Sequence, residues 1–399
     1  MRDGRIEMLR HSPLNQRSMQ DEHHAAESRP LRITIVQGAF LPVPPLLGGA
    51  VEKFWQRMGT EFAARGNIVT HVSRSYEGLP EEESVAGVFH RRVRGSEVPS
   101  SMMVLKALDL AYTARVLRVL PEADILVSNT FWLPILARDR RRGAVVADVQ
   151  RMPKGQLRFY RDAFLRANST AVREAIEREL PAACPRVLTV PNALPFEVAT
   201  STDLEGKLPL VLYVGRIHSE KGLELLVKAS ASLPPDWSVR ILGPHRVSEG
   251  GGGEAYLARL RELAAGLPVE FAGPVYDQDK LSSHYAESSV FAYPSVAETG
   301  ETFGLAPLEA MAHGCVPVVS ALPCFRDFVT PGENGLAFDH RDPSAVDLLG
   351  ESLRLLALDT SVRERLAWKA FDVRVSHSSG AIATQFLDHF QRIALKRSR

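Results

Sequence analysis

Two carboxylates, Glu301 and Glu309, bracket the stretch Glu301-Thr302-Phe303-Gly304-Leu305-Ala306-Pro307-Leu308-Glu309. Between them a Phe-Gly turn opens a short helix, because Pro307 lacks an N–H and suits a first helical turn. Gly304 allows close backbone approach. The N–H groups near Phe303, Gly304 and Leu305 then point out of the helix start, where an anion binds well. Glu309 lies further inside the helix and is placed to accept two hydrogen bonds from a vicinal diol. Glu301 precedes the helix, on the other side of the anion, within reach of further hydroxyls. Upstream, Gly215-Arg216-Ile217-His218-Ser219-Glu220-Lys221-Gly222 puts two fixed cations in a second strand-to-helix turn. Taken singly, each pair reads equally well as solvated surface charge. Together, a helix start, two cations and two carboxylates describe a pocket for a diphosphate flanked by hydroxyl-rich groups, which is the make-up of a nucleotide-sugar. Arg216 and Lys221 would neutralise the diphosphate, including the charge that grows as it departs. Two fixed cations can replace a divalent metal, and no Asp-x-Asp pair stands at a strand end. No metal and no cofactor is expected beyond the donor.

The elements that must position these residues alternate strand and helix. Leu31–Val36 is a β-branched run entering a proline-rich loop, and a helix follows Gly48-Gly49 to about Ala64, where Arg65-Gly66 stops it. With Ile68–Val72 this makes a β-α-β unit, which builds parallel sheets. Further strands are expected at 88–91, 125–127, 144–147 and 187–190. Pro191-Asn192-Ala193-Leu194-Pro195 breaks the pattern, and the polar run Ser201–Lys207 reads as a linker. The alternation restarts at Leu208–Val214 and runs to Val316–Ser320, and a last helix is expected over Ser378–Lys396. Glu249–Glu254, with four glycines in a row, reads as a flexible loop. The expected organisation is a leader (1–30), a first Rossmann-like domain (31–200), a second (201–377) and a terminal helix (378–399). Two facing α/β domains leave a cleft at the carboxyl ends of their strands. Gly48 and Gly49 either form a plain turn or let the backbone pass close to a donor and the helix start face a phosphate. Gly273-Pro274-Val275 either shapes a pocket for a flat base or is an ordinary turn.

Bulk composition narrows the function. The chain has 399 residues, 45% hydrophobic and 24% charged, with a net charge of +1, so no global field argues for nucleic acid. Three cysteines without ligand spacing fit a reducing compartment better than a disulfide framework. No apolar run reaches membrane-spanning length, and residues 1–30 lack the apolar core of a secretory signal. A cytoplasmic placement is expected, with peripheral membrane contact left open. Small-molecule, saccharide and lipid acceptors all remain open, although no hydrophobic-basic amphipathic helix stands out, which favours a soluble one. Oligomeric state is not readable.

Glu301-x7-Glu309, with Gly215-Arg216 and Lys221-Gly222 upstream, resembles the retaining glycosyltransferases of sequence family 4. Pro294-Ser295, Glu309-Ala310-Met311-Ala312, Gly314–Val319 and Asn334-Gly335 fit the same family in the same order, and the resemblance is densest from Leu208 to Phe338. It implies the GT-B fold, with a terminal helix crossing back onto the first domain. It also implies a nucleoside-diphosphate sugar donor, with the diphosphate on Arg216 and Lys221, the ribose on Glu309 and the sugar on Glu301. Donor contacts are then expected at Gly48, Gly49, Gly215, Val275, Phe303, Gly304 and Leu305. Two departures stand out. The family often has Gly-Gly and a glutamate after the strand ending near Val319, where this chain has Leu322-Pro323-Cys324-Phe325-Arg326-Asp327. It often has a histidine near the donor sugar, where this chain has Asp148 or Gln150. Glutamine can bind a hydroxyl but carries no charge, so acid–base work there is doubtful. Arg151, Lys154 and Arg158 beside it either contact an anionic acceptor or phosphate, or sit in a solvated loop. A sugar-nucleotide epimerase of the same fold and a non-catalytic nucleotide-sugar binder remain alternatives. A nicotinamide enzyme does not fit, because neither turn carries G-x-G-x-x-G.

Overall fold

The computed structural model describes residues 29–196, 204 and 206–398. The expected leader therefore lies almost wholly outside the described residues, as does most of the linker at 201–207. From Leu31 onward the chain forms one compact unit.

The first half builds an eight-stranded sheet from β1 (Arg32–Val36), β2 (Ile68–Arg74), β3 (Glu82–Val85), β4 (Val88–Val93), β5 (Ile125–Ser128), β6 (Ala144–Val149), β7 (Phe164–Ala167) and β8 (Val187–Thr189). Its order is β3-β4-β2-β1-β5-β6-β7-β8, parallel except for the β3/β4 hairpin, which closes through Ala86 and Gly87, both at positive φ. Such a two-residue turn matches the strand twist. The second half builds a six-stranded parallel sheet from β9 (Leu208–Val214), β10 (Ser238–Leu242), β11 (Val269–Gly273), β12 (Ser288–Tyr293), β13 (Val316–Ser320) and β14 (Leu336–Phe338). Its order is β11-β10-β9-β12-β13-β14. Strand order reverses between β1 and β5 in one sheet and between β9 and β12 in the other. Ligands of open parallel sheets bind at the carboxyl ends of such switch points.

The terminal helix Ser379–Ser398 belongs to the first sheet's core. Its apolar residues Ile382, Phe386, Phe390 and Ile393 recur at helical spacing and pack with Ile33, Ile35, Val127 and Val146. The Phe386 ring lies 5.1 Å from that of Trp55 in helix Ala50–Ala64, and Phe390 lies 5.8 Å from Phe62. Burying each such aromatic stabilises the fold by roughly 1.5–3 kcal/mol. The halves are also joined by direct hydrogen bonds. Thr302 Oγ1 donates to the Gln150 carbonyl (3.0 Å), Thr170 N to Asp327 Oδ2 (2.7 Å) and Leu194 N to the His377 carbonyl (2.9 Å). The unusual Leu322–Asp327 loop thus supplies a bond between the halves.

Three features differ from the sequence-based expectation. Strand β7 contains Arg166, whose charge hides a buried strand. The glycine run is no loose loop: Gly252 N donates to the Ile217 carbonyl (2.8 Å), Gly253 N to the His245 carbonyl (2.7 Å), and helix Gly253–Leu263 begins there. Helix Met102–Val119 turns polar Asp109, Tyr112 and Thr113 inward and leaves Met102, Met103, Val104 and Leu110 exposed. These exposed apolar residues do not share one face of the helix, so no hydrophobic-basic amphipathic face results.

Candidate active site

Arg216 and Lys221 sit just beyond β9, and Ser295 and Glu301 just beyond β12, so the second switch point brings them together. Lys221 Nζ lies 2.7 Å from Glu301 Oε2, with both side chains nearly buried at 8% and 11% exposure. Ser295 Oγ donates to the same carboxylate oxygen (3.3 Å). Beneath the lysine lie stacked Tyr213 and Tyr293, ring centroids 5.6 Å apart, with Nζ 5.5 Å from the Tyr293 centroid. Burial first, and then the negative charge of Glu301, pushes the Tyr293 hydroxyl well above its ordinary pKa. It stays a neutral donor beside that carboxylate. Arg216 pairs with Glu220 (2.7 Å) and donates to the Gly250 carbonyl (2.8 Å), and about half of its side chain faces solvent. Gly215 is required here because a Cβ would press on the Tyr213 hydroxyl.

The second carboxylate stands in helix Leu305–Ala312. Its cap, Gly304, has φ 87°, and no side chain caps this helix start. The first-turn N–H groups therefore lack intrahelical acceptors. A Cβ on Gly304 would collide with the Phe325 ring, so the glycine serves packing as well as turn geometry. Glu309 is buried and accepts a hydrogen bond from Tyr285 Oη (3.1 Å). Burial raises its pKa from 4.5 to about 7, against the opposing influence of Tyr285 and the positive charge of Lys53. Glu309 and Leu305 line a cavity of about 210 Å³, closed from the first half by Gly49, Lys53, Arg57, Gln150 and Asn192. A cleft between the halves is thus present. A larger groove of about 990 Å³ lies at the starts of β6 and β7, the strand ends away from Gln150, and holds none of these residues.

The remaining candidates divide. Gly49 lines the cavity, but the Glu52 carboxylate lies against it and accepts the backbone N–H of Glu52 itself. This helix start is thus occupied by its own side chain, and burial raises the Glu52 pKa. Gly48 has φ 79° and open space where a side chain would be. Val275 is half-buried against the second core. Phe303 packs its ring on Phe328, so only its backbone is left for a donor. Asp148 corrects the expectation of a sugar contact. It is wholly buried, 2.9 Å from Arg166 Nη1, and accepts from Trp55 Nε1 (2.7 Å) and Gln150 Nε2 (2.8 Å). A buried charge must be paired, and this one is spent on structure. Its effect on the cleft is to orient Gln150, whose side-chain Oε1 accepts from Asn168 Nδ2 (3.2 Å). Arg151, Lys154 and Arg158 are exposed on the loop after β6, with Arg158 5.0 Å over the Phe159 ring. Lys53, Tyr285 and Tyr293 were not expected from the sequence. Only Lys53, one turn into the helix after Gly49, carried a signal.

Residues 197–372 match the family model described as "Glycosyl transferases group 1". Over 164 residues the chain is 37% identical to a sulfoquinovosyl transferase of Arabidopsis thaliana, covering 40% of this chain and 29% of that protein. Seven other similar curated proteins, several of them D-inositol 3-phosphate glycosyltransferases, are also covered over less than half their length. Among solved structures, sucrose-phosphate synthase from Thermosynechococcus elongatus superposes with a TM-score of 0.72 at 19% identity, covering 92% of this chain and 100% of that one. An Anabaena protein, HepE, in complex with UDP and glucose superposes at 0.65 and 18% identity, covering 91% and 100%. Residues 197–372 are thus similar to glycosyl transferases group 1, and the chain has the two-sheet GT-B fold of the solved structures it matches.

Proposed function

We propose that the chain moves a sugar from a nucleoside-diphosphate sugar to an acceptor hydroxyl, with retention at the anomeric carbon and without a divalent metal. The observation that carries this is the convergence at the β9/β12 switch point. Lys221 and Glu301 touch there, Arg216 stands beside them, and an uncapped helix start leads to Glu309 in the cleft. Arg216 and Lys221 take the diphosphate, Glu309 the ribose and Glu301 the sugar. The bond from the anomeric carbon to the diphosphate breaks and one to the acceptor oxygen forms on the same face, while the acceptor proton passes to the leaving phosphate oxygen. The two cations stabilise the charge left on that phosphate. Retention follows from the family resemblance, and the UDP and glucose in the Anabaena structure make a uridine-diphosphate sugar the first donor to assay.

The test is Lys221→Ala with released nucleoside diphosphate measured over an acceptor panel. Loss of one such donor raises the barrier by about 2–4 kcal/mol, so turnover falls roughly 30- to 1,000-fold. Turnover of the unaltered chain is expected to persist in a metal chelator. Full activity of Lys221→Ala overturns the assignment, and loss on chelation with recovery on added magnesium overturns the metal-independent part.

A further inference from the structure

In the function proposed above, the groups given to the donor all belong to the second half: Arg216, Lys221, Glu301 and Glu309. The first half faces them across the cavity with Lys53, Arg57, Gln150 and Asn192. Lys53 and Arg57 come from helix Ala50–Ala64, Gln150 directly follows β6, and Asn192 stands in the loop after β8. The hydrogen-bond chemistry of this wall is one-sided.

The buried Arg166–Asp148 pair decides which way the two amides face. Arginine only donates, so Asn192 meets Arg166 Nη2 with its Oδ1, at 2.8 Å. An ionised carboxylate only accepts, so Gln150 meets Asp148 Oδ2 with its Nε2, at 2.8 Å. Gln150 Oε1 is taken in turn by Asn168 Nδ2 (3.2 Å). Both amide oxygens are thus engaged, and N–H hydrogens are left over. Lys53 adds an exposed ammonium that bears on Glu309 across the cavity through its charge. Arg57 Nη1 donates to the Pro195 carbonyl (3.2 Å). The neighbouring acid, Glu52, does not line the cavity and turns back on its own N–H.

A neutral hydroxyl fits such a wall poorly, because it carries a hydrogen that needs an acceptor of its own. An anionic oxygen has lone pairs and no hydrogen to place, and a cationic donor strengthens the bond to it. Position points to the acceptor rather than the donor. The Gln150 carbonyl is tied to Thr302 Oγ1 (3.0 Å), next to Glu301, so the wall stands beside the group assigned to the sugar and on the half opposite the diphosphate cations.

We propose that the wall of Lys53, Gln150 and Asn192 binds an anionic group, phosphate or carboxylate, carried by the acceptor. This rests on the transferase function proposed above. The test is calorimetry on the full chain saturated with uridine diphosphate and titrated with glucose 6-phosphate, glucuronate or glucose, probes that share a ring and differ in charge. The variants are Lys53→Ala and Asn192→Asp, the second of which keeps an oxygen on Arg166 and sets a negative charge in the wall. At least one charged probe is expected to bind and glucose is not, and salt is expected to weaken the binding. Each variant is expected to weaken the charged probe roughly tenfold or more while changing uridine diphosphate affinity far less. Binding of glucose 6-phosphate alone assigns a phosphate to the acceptor, and binding of glucuronate alone a carboxylate. Glucose binding as tightly as the charged probes, no binding of either charged probe, or charged-probe affinity unmoved in both variants overturns the proposal. So does an equal loss of uridine diphosphate affinity in Lys53→Ala, which would give the wall to the donor's phosphates. Charged-probe binding that depends on Lys53 in a chain that binds no uridine diphosphate overturns the transferase reading and leaves the anion site standing.

Discussion

Replacing Glu309 with glutamine should make the protein more stable and a worse donor binder at the same time. Glu309 is 8% exposed, and burial raises its pKa from 4.5 to about 7. At 1.36 kcal/mol per pH unit, that rise corresponds to about 3 kcal/mol. The sign is that of a carboxyl that holds its proton more tightly when folded. Between pH 4.5 and 7 the native state binds more protons than the unfolded state, so stability falls as pH rises through this window. Above pH 7 the full cost of keeping the carboxylate ionised is present; below pH 4.5 it is absent. Glutamine has the same shape, still accepts from Tyr285 and never ionises. Glu309→Gln should therefore exceed the unaltered chain by about 3 kcal/mol at about pH 8, and the difference should vanish near pH 4.5. The assay is urea unfolding of both proteins across that range, because the difference between them cancels every other titrating group. For the donor the sign reverses. Hydrogen bonds to a charged acceptor contribute about 1.5–3 kcal/mol against about 0.5–1.5 for neutral ones, so uridine diphosphate should bind roughly tenfold more weakly to the variant. Parallel stability curves for the two proteins, or a variant that binds uridine diphosphate as well as the unaltered chain, would refute the reasoning.

Arg166→Ala removes one half of a wholly buried pair and strands Asp148, so it should cost about 3–5 kcal/mol in urea unfolding. Gly304→Ala forces a Cβ into Phe325 at a φ of 87° and should cost about 1–3 kcal/mol while lowering uridine diphosphate affinity; unchanged affinity would separate packing from binding at this turn. Glu301→Gln frees Lys221 from its carboxylate, so bare uridine diphosphate should bind several-fold more tightly while transfer falls, read by calorimetry and product release.

The convergence at the β9/β12 switch point was legible because its residues and its fold leave the same marks. Arg216 and Lys221 follow the apolar run of β9 directly, and Gly304 and Pro307 announce a helix start between the two glutamates. Strand ends at a switch point must carry loops, and the paired charges sit on those loops. The first half was harder because its signals are reversed. Arg166 lies in a strand and reads as surface, yet it is held by Asp148 and by Phe54 and Phe386, whose rings lie 4.8 and 5.4 Å from its guanidinium carbon. Asp148 reads as a ligand group, yet its oxygens are already taken. Helix Met102–Val119 buries an acid and exposes methionines, so a pattern that sorts apolar residues inward cannot find its faces. The hairpin strand Glu82–Val85 is charged because it is an exposed edge.

The charges at the β9/β12 switch point are arranged in pairs, and this sets what a donor must do. Lys221 faces Glu301 and Arg216 faces Glu220, each at 2.7 Å. In the proposed function a diphosphate entering here would replace a carboxylate at each cation, so much of its attraction would be offset by the ion pairs it breaks. The displaced Glu301 would then be satisfied by the sugar hydroxyls that the proposal assigns to it. A nucleoside diphosphate without a sugar offers Glu301 nothing in return. The pairing therefore favours the complete donor over its product, since only the complete donor supplies partners for both the cation and the acid it separates. The same logic aids turnover: once the sugar has left, Glu301 can reclaim Lys221 and help expel the diphosphate. Arg216, half exposed, adds less to this discrimination than the nearly buried Lys221. Solvent screens its charge, which weakens its attraction to Glu220 and to an incoming phosphate alike. In the proposed function, selectivity for a sugar-bearing donor would reside mainly in the Lys221–Glu301 ion pair, which packs over the Tyr213 and Tyr293 rings.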